Sequence, residues 1–98
     1  LDPSNECLVS VPFTAKAGVD VERMKADIVS TVEQATVGLA NPQYKPVVKL
    51  NGFTPYGIDG TIYAFAKNDL ILSTMADAVA QAIAHADYLE HRAVGSGE

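Results

Sequence analysis

The chain has 98 residues, of which 48% are hydrophobic and 19% charged, as is typical of a single globular domain. Its net charge of −5 makes nucleic acid and anionic lipid poor candidate partners, and its single cysteine excludes an intrachain disulfide or a cysteine-cluster zinc site. No apolar run approaches the ~20 residues of a membrane-spanning helix, so the composition predicts a soluble, acidic domain.

The two ends of the chain are predicted to lie outside the folded domain. Residues 1–6 are polar and contain a proline, which is typical of a linker or tail. Residues 94–98 contain two glycines and are interpreted as a flexible tail. One domain over residues 7–93 is therefore expected.

The first predicted element is a strand from Cys7 to Phe13, because apolar residues alternate there with period two. Pro12 cannot donate a ladder hydrogen bond, so it fits only a strand end or a sheet edge. A catalytic role for Cys7 would need a neighbouring base, and both histidines lie in the last predicted helix. We therefore interpret Cys7 as a small buried hydrophobic residue.

The next element is predicted to be a helix over about 20–37. Asp20 is a suitable N-cap, and apolar residues then recur at spacings of three and four, as on one face of a helix. Gly38 and Pro42 are expected to end it, because glycine relaxes a helix terminus and proline cannot continue a helix.

Two further strands, 46–53 and 58–67, are predicted to form a hairpin. Pro55 and Gly57 between them are typical turn residues. Thr61, Tyr63 and Phe65 are expected on the face opposite Ile62. If helices cover the Ile62 face, Tyr63 and Phe65 either form a contact surface for another chain or make ordinary cross-strand contacts.

A second helix is predicted from about 70 to 91, with Asn68 and Asp69 as its cap. The order β-α-β-β-α predicts a ferredoxin-like α+β fold with two helices on one face of an antiparallel sheet. Its usual closing strand is short or missing, and only 92–94 could supply it. The first strand is then an edge open to pairing with another chain. The predicted core is Met24, Ile28, Val32, Ile62, Met75, Val79 and Ile83.

Candidate chemical sites are weak. Asp87 and His91 are four residues apart and could share a helix face with metal-ligand spacing, whereas His85 points elsewhere. A solvated polar face near a helix end explains the same residues. No nucleophile, base and orienting group form a recognisable set, so we expect no catalysis, no cofactor and no metal.

Several segments together resemble one known family, the C-terminal cytoplasmic domain of small-conductance mechanosensitive (MscS) channels, between about Val9 and Tyr88. They are Val-Ser-Val-Pro-Phe13, Asp20-Val-Glu-Arg-Met-Lys25, Leu39-Ala-Asn-Pro42, Pro46-Val-Val-Lys-Leu50, Gly57-Ile-Asp-Gly-Thr-Ile-Tyr-Ala-Phe65 and Lys67-Asn-Asp69. The family's Gly-Ile turn and Phe-Pro-type strand after the last helix are replaced by Leu89-Glu-His-Arg-Ala-Val-Gly95.

The resemblance implies a non-catalytic role. Such domains form the wall of a hollow vestibule on the cytoplasmic side of the bacterial inner membrane, as a heptamer whose side portals pass ions and osmolytes when membrane tension opens the pore. The expected partners are other copies of the same subunit, and the membrane is reached only through segments that these 98 residues do not contain.

Two other functions are compatible with the same sequence. One is the dimerising, zinc-binding cytoplasmic domain of a cation-efflux transporter, for which only His85 and His91 are available here. The other is a freestanding ferredoxin-like ligand-binding module or small enzyme, because a fold alone does not decide function.

Overall fold

A computed structural model describes residues 7–84 together with Ala86 and Leu89. The elements of this part of the chain follow the predicted order: β1 (Leu8–Ala15), α1 (Val21–Ala35), β2 (Val47–Thr54), β3 (Gly57–Phe65) and α2 (Leu72–Ile83). The α+β fold class is confirmed.

The sheet has the strand order β1-β3-β2, and both outer strands are antiparallel to β3. β1 and β2 are therefore parallel to each other and separated by β3, which is the split β-α-β arrangement of ferredoxin-like folds. Helix α1 packs near β2, α2 packs against β1, and the two helices contact each other. Among the described residues β1 is an edge strand, as predicted.

Pro12 is tolerated in β1 because alternate residues of this strand direct their backbone N–H and C=O groups towards β3 and away from it. The Ala66 N–H donates to the Cys7 carbonyl at 2.8 Å, so Cys7 directs its polar backbone groups towards β3. In an antiparallel ladder this direction alternates with every residue. The backbone groups of Pro12 therefore face away from β3. Although proline lacks an N–H, no hydrogen bond to β3 is lost at this position.

A single core lies between the helices and one face of the sheet. All seven residues predicted for it are buried, and the sheet contributes further apolar side chains. The buried apolar residues are Val9, Phe13, Ala15, Met24, Ile28, Val32, Val48, Ile58, Ile62, Ala64, Ala66, Met75, Val79, Ile83 and Leu89.

Helix α1 has the predicted N-cap but ends earlier than predicted. The Arg23 N–H donates to Asp20 Oδ1 at 3.2 Å, which satisfies one free donor of the first turn. The helix ends at Ala35, and the hydroxyl of the buried Thr36 donates to the Val32 carbonyl at 2.7 Å. Gly38 follows with a φ of 86°, a left-handed conformation that glycine adopts without steric cost.

The second helix is shorter than the predicted 70–91. A 3-10 turn, Asp69–Ile71, comes first, with the Leu70 N–H donating to Asn68 Oδ1 at 2.9 Å, and the α-helix ends at Ile83. The chain then turns so that Leu89 lies opposite Ala15 in an antiparallel bridge and is only 5% exposed. Burial of a leucine contributes about 1.5–3 kcal/mol, and helices in proteins are stabilised more by such packing than by intrinsic propensity.

Some sequence predictions lie outside the described residues. These are the linker 1–6, the possible closing strand 92–94 and the tail 94–98.

Ile62→Ala is expected to lower the free energy of unfolding by about 2–4 kcal/mol, because Ile62 is fully buried and truncation leaves a cavity. Ile28→Ala should have a similar effect, since that side chain is also fully buried. Urea unfolding followed by circular dichroism measures both changes. Val37→Ala is the control: the residue is 82% exposed and should change stability by less than about 0.5 kcal/mol. Equal effects at positions 37 and 62 would contradict this core.

Gly57→Ala is expected to destabilise the hairpin by more than about 1 kcal/mol, since φ is 152° and a Cβ would collide with the Ala15 carbonyl oxygen. The matched control is Gly52→Ala in β2, where a Cβ meets nothing within 4 Å. Thermal unfolding of both variants tests this difference. A Gly57→Ala protein that melts like the Gly52→Ala protein would show that β1 and the hairpin do not pack this closely.

Candidate assembly surface

The sheet has one face packed under the helices and a second face that none of the described elements covers, which we call the open face. Cross-strand partners point to the same side of a sheet, so the pairing register assigns its members. They are Leu8, Ser10, Pro12, Thr14, Val47, Lys49, Asp59, Thr61, Tyr63 and Phe65. Asn51 has no cross-strand partner, and its hydrogen bond to Thr61 places it on the same face. The two aromatic residues predicted for this face lie on it.

One end of the open face is apolar. Tyr63 lies between Ser10 of β1 and Val47 of β2, and Phe65 lies opposite Leu8. Tyr63 and Phe65 are half-buried, whereas Val47 is 52% exposed. Together with Tyr44 these residues form what we call the aromatic end: Leu8, Tyr44, Val47, Tyr63 and Phe65.

Tyr44 joins the aromatic end from the connection between α1 and β2. Its ring centroid lies 5.0 Å from that of Phe65, with the ring planes tilted by 37°. Tilted aromatic pairs at this separation stabilise their arrangement beyond the area they bury. Sequence analysis missed Tyr44, because a residue in an irregular connection belongs to no apolar period.

The opposite end of the open face is polar and internally hydrogen-bonded. The Thr14 hydroxyl donates to Asp59 Oδ1 at 3.0 Å, and the Asn51 side-chain amide donates to Thr61 Oγ1 at 2.8 Å. These side chains therefore satisfy part of one another's hydrogen-bonding capacity. An apolar contact with another molecule is favoured at the aromatic end, where less polar surface would have to be desolvated.

A β-bulge in β2 limits the apolar area. The register with β3 shifts between Leu50 and Gly52, so Phe53 pairs with the core-facing Ile58 and not with an open-face residue. Phe53 remains 72% exposed at the hairpin end of the sheet. It is therefore separate from the aromatic end.

A cleft of about 350 Å³ lies beside the aromatic end, between the C-terminal end of α1 and the connection to β2. Its lining includes Ala40, which pairs with Ala66 in an isolated bridge, and Tyr44 and Phe65 of the aromatic end. Lys45 Nζ lies 3.8 Å from Glu33 Oε2 at its edge. Both side chains are well exposed, so this ion pair contributes little to stability.

Of the residues predicted to carry chemistry, only Cys7 lies in the described part of the chain. The weak metal candidates His85, Asp87 and His91 all lie outside the described residues. Within residues 7–84, Ala86 and Leu89, no three His, Cys, Asp or Glu side chains are placed to hold a metal ion. Cys7 is half-buried, less enclosed than predicted, because it precedes the edge strand β1.

No helix in the described part of the chain is both long and apolar enough to cross a membrane. Comparison with known proteins adds no assignment: no family model matches the chain, and no curated protein matches its sequence.

Phe65→Ala is expected to lower the free energy of unfolding by about 1–3 kcal/mol, less than for a fully buried phenylalanine, because the half-buried ring loses its contact with Tyr44. Phe53→Ala is the matched control, since that ring is 72% exposed. Chemical unfolding should show a change of less than about 0.5 kcal/mol for the control. The reverse order of the two effects would contradict the described open face.

Proposed function

We propose that this chain is a non-catalytic assembly domain, and specifically the cytoplasmic vestibule domain of a mechanosensitive channel of the MscS type. In this role copies of the domain contact one another around a ring and form the walls of portals through which ions and osmolytes pass. The domain itself performs no chemistry.

The observation that carries the proposal is the one-sided sheet. Helices cover one face, while the aromatic end of the other face keeps Val47 and parts of Tyr63 and Phe65 accessible. Aromatic residues are enriched at protein–protein interfaces, because they bury a large area while losing little side-chain entropy. A half-exposed aromatic cluster beside a polar rim is a suitable contact for another subunit.

The sequence resemblance supports a mechanosensitive channel as the protein to which the assembly domain belongs. The segments on which it rests lie in order along the β-α-β-β-α fold, from β1 through the N-cap of α1 to the turn before α2. The Leu39-Ala-Asn-Pro42 segment contacts the end of β3, where the Asn41 N–H donates to the Phe65 carbonyl at 2.8 Å. This segment therefore has a structural role beside the aromatic end.

The acidic composition is compatible with a vestibule. A net charge of −5 on each copy, repeated around a closed ring, adds to one negative potential across the lumen and the portals. Such a potential raises the local concentration of cations and is weakened by salt.

The complete reading frame that contains these residues tests the proposal first. We expect it to encode apolar spans of about 20 residues before Leu1 and to produce tension-activated currents in membrane patches. A frame without apolar spans would overturn the channel assignment. Stoichiometric zinc binding measured by calorimetry, with no tension response, would instead favour the transporter-type domain.

Assembly is tested by placing a charge on the aromatic end of the same polypeptide. Val47→Glu should weaken subunit association by about tenfold or more, because an unpaired carboxylate would be buried in the contact. Leu70→Glu is the matched control: it adds the same charge at a residue that is 88% exposed and lies outside the open face. Sedimentation and crosslinking should separate the two variants, and equal association would exclude the aromatic end as the subunit contact.

A further inference from the structure

The hairpin between β2 and β3 ends in an exposed aromatic turn, residues 53–56, which we call the hairpin tip. Among the residues that the structure describes, Phe53 and Tyr56 are the two aromatic side chains that remain mostly exposed, at 72% and 68%. Single exposed apolar side chains are ordinary on protein surfaces. Two rings on one four-residue turn instead form an apolar projection, which is typical of a contact with another molecule.

The hairpin tip is held in one conformation by its own hydrogen bonds. The Tyr56 N–H donates to Thr54 Oγ1 at 3.1 Å, and the Thr54 hydroxyl donates to the Gly57 carbonyl at 3.3 Å. Pro55, which lies between them, has a fixed φ. The rings are therefore presented by a preorganised turn, so that little conformational entropy is lost when another molecule covers them.

The cleft beside the aromatic end lies at the opposite end of β3 from the hairpin tip. The strand begins at Gly57, next to the tip, and ends at Phe65, which lines the cleft. Its nine residues, at about 3.3 Å each, separate the two features by roughly 25 Å. The tip of one copy therefore cannot reach its own cleft, whereas it can reach the cleft of another copy.

The cleft is suited to receive an apolar projection. It encloses about 350 Å³ and is lined by Tyr44 and Phe65, whose rings pack on each other. The fully buried Met75 also lines it, so the cleft extends to the edge of the core. Pro42 and Pro46 restrict the backbone of its wall, which keeps the cleft formed in the absence of an occupant.

We propose that copies of this chain associate head to tail, with the hairpin tip of one copy seated in the cleft of the next. The inference rests on the proposed assembly role and deepens it by naming the two surfaces that meet. Residues 50–58 carry no charged side chain, and Lys45 and Glu33 at the edge of the cleft compensate each other. Because two copies with net charges of −5 repel each other, contact is favoured where both surfaces are neutral.

The size of this contact favours a closed assembly over a stable pair. Aromatic side chains bury about 150–250 Å² each, so the exposed parts of the two rings and a matching area of the cleft give a contact of about 400–700 Å². Stable pairs bury about 1,200 Å² or more. A head-to-tail contact uses a different surface on each side, so every copy can make two such contacts and successive copies can close into a ring.

Complementing variants of the 98-residue chain test this arrangement. Phe53→Asp removes a ring of the tip, and Val37→Asp places a carboxylate at the rim of the cleft; both residues are mainly exposed, so both variants should fold normally. Each variant alone should associate at least about tenfold more weakly than the unmodified chain. In an equimolar mixture the intact tip of the Val37→Asp chain still fits the intact cleft of the Phe53→Asp chain. Sedimentation at up to about 1 mM protein should therefore show a one-to-one pair and no larger species.

Leu70→Asp is the matched control, since it adds the same charge at a residue that is 88% exposed and lies outside both surfaces. Its association should equal that of the unmodified chain. An unmodified chain that stays monomeric, a mixture that stays monomeric, or a Phe53→Asp chain that associates normally would each overturn the tip-in-cleft contact.

The outcomes also separate this contact from the proposed function. If Val47→Glu weakens association and Phe53→Asp does not, the assembly role is retained and the tip-in-cleft contact is rejected. If Phe53→Asp and Val37→Asp complement each other but the reading frame encodes no apolar spans, the contact is retained and the channel assignment is rejected.

Discussion

The structure depends on β3, because it is the only strand with which both other described strands pair. Its alternate residues Ile58, Gly60, Ile62 and Ala64, and Ala66 just after it, lie towards the helices, while Thr61, Tyr63 and Phe65 lie on the open face. Ile62 is fully buried. The neighbouring small residues let other groups approach: a Cβ on Gly60 would lie 2.6 Å from the Phe13 ring. The large side chain of Ile62 and the absence of a side chain at Gly60 therefore determine how closely β1 and the helices pack against β3.

The sheet is covered on one side only among the described residues. Helices α1 and α2 both pack on the same face, so the described elements leave the other face to the side chains that lie on it. At the polar end of that face, side chains such as Thr14 and Asp59 are hydrogen-bonded to each other. At the other end Tyr63, Phe65 and Val47 remain partly accessible. The contrast between the two ends is the reason for proposing an assembly contact at one of them.

The two edges of the sheet are protected in different ways. At the edge formed by β2, a bulge at Asn51 interrupts regular pairing, and Lys49 adds an exposed charge; both features discourage strand addition. At the edge formed by β1, Pro12 removes one donor, and Leu89 already occupies the far end. With these edges protected, contact between subunits through the open face is compatible with a folded, non-aggregating domain.

Much of this protein could be predicted from its sequence, because the relevant signals are local. Period-two and period-3.6 apolar patterns identified the three strands and two α-helices of the described residues, Asp20 and Asn68 identified two caps, and alternation along β3 assigned Tyr63 and Phe65 to the open face. The remaining features are set by contacts between residues distant in sequence. Helix propensity predicted that α2 continues to residue 91, but the helix ends at Ile83, and Leu89 is buried in a bridge to Ala15, a residue distant in sequence. Tyr44 reaches Phe65 only because the Ala40–Ala66 bridge holds the connection beside β3. Such pairings have no local pattern, since each depends on where the packed sheet brings two segments together.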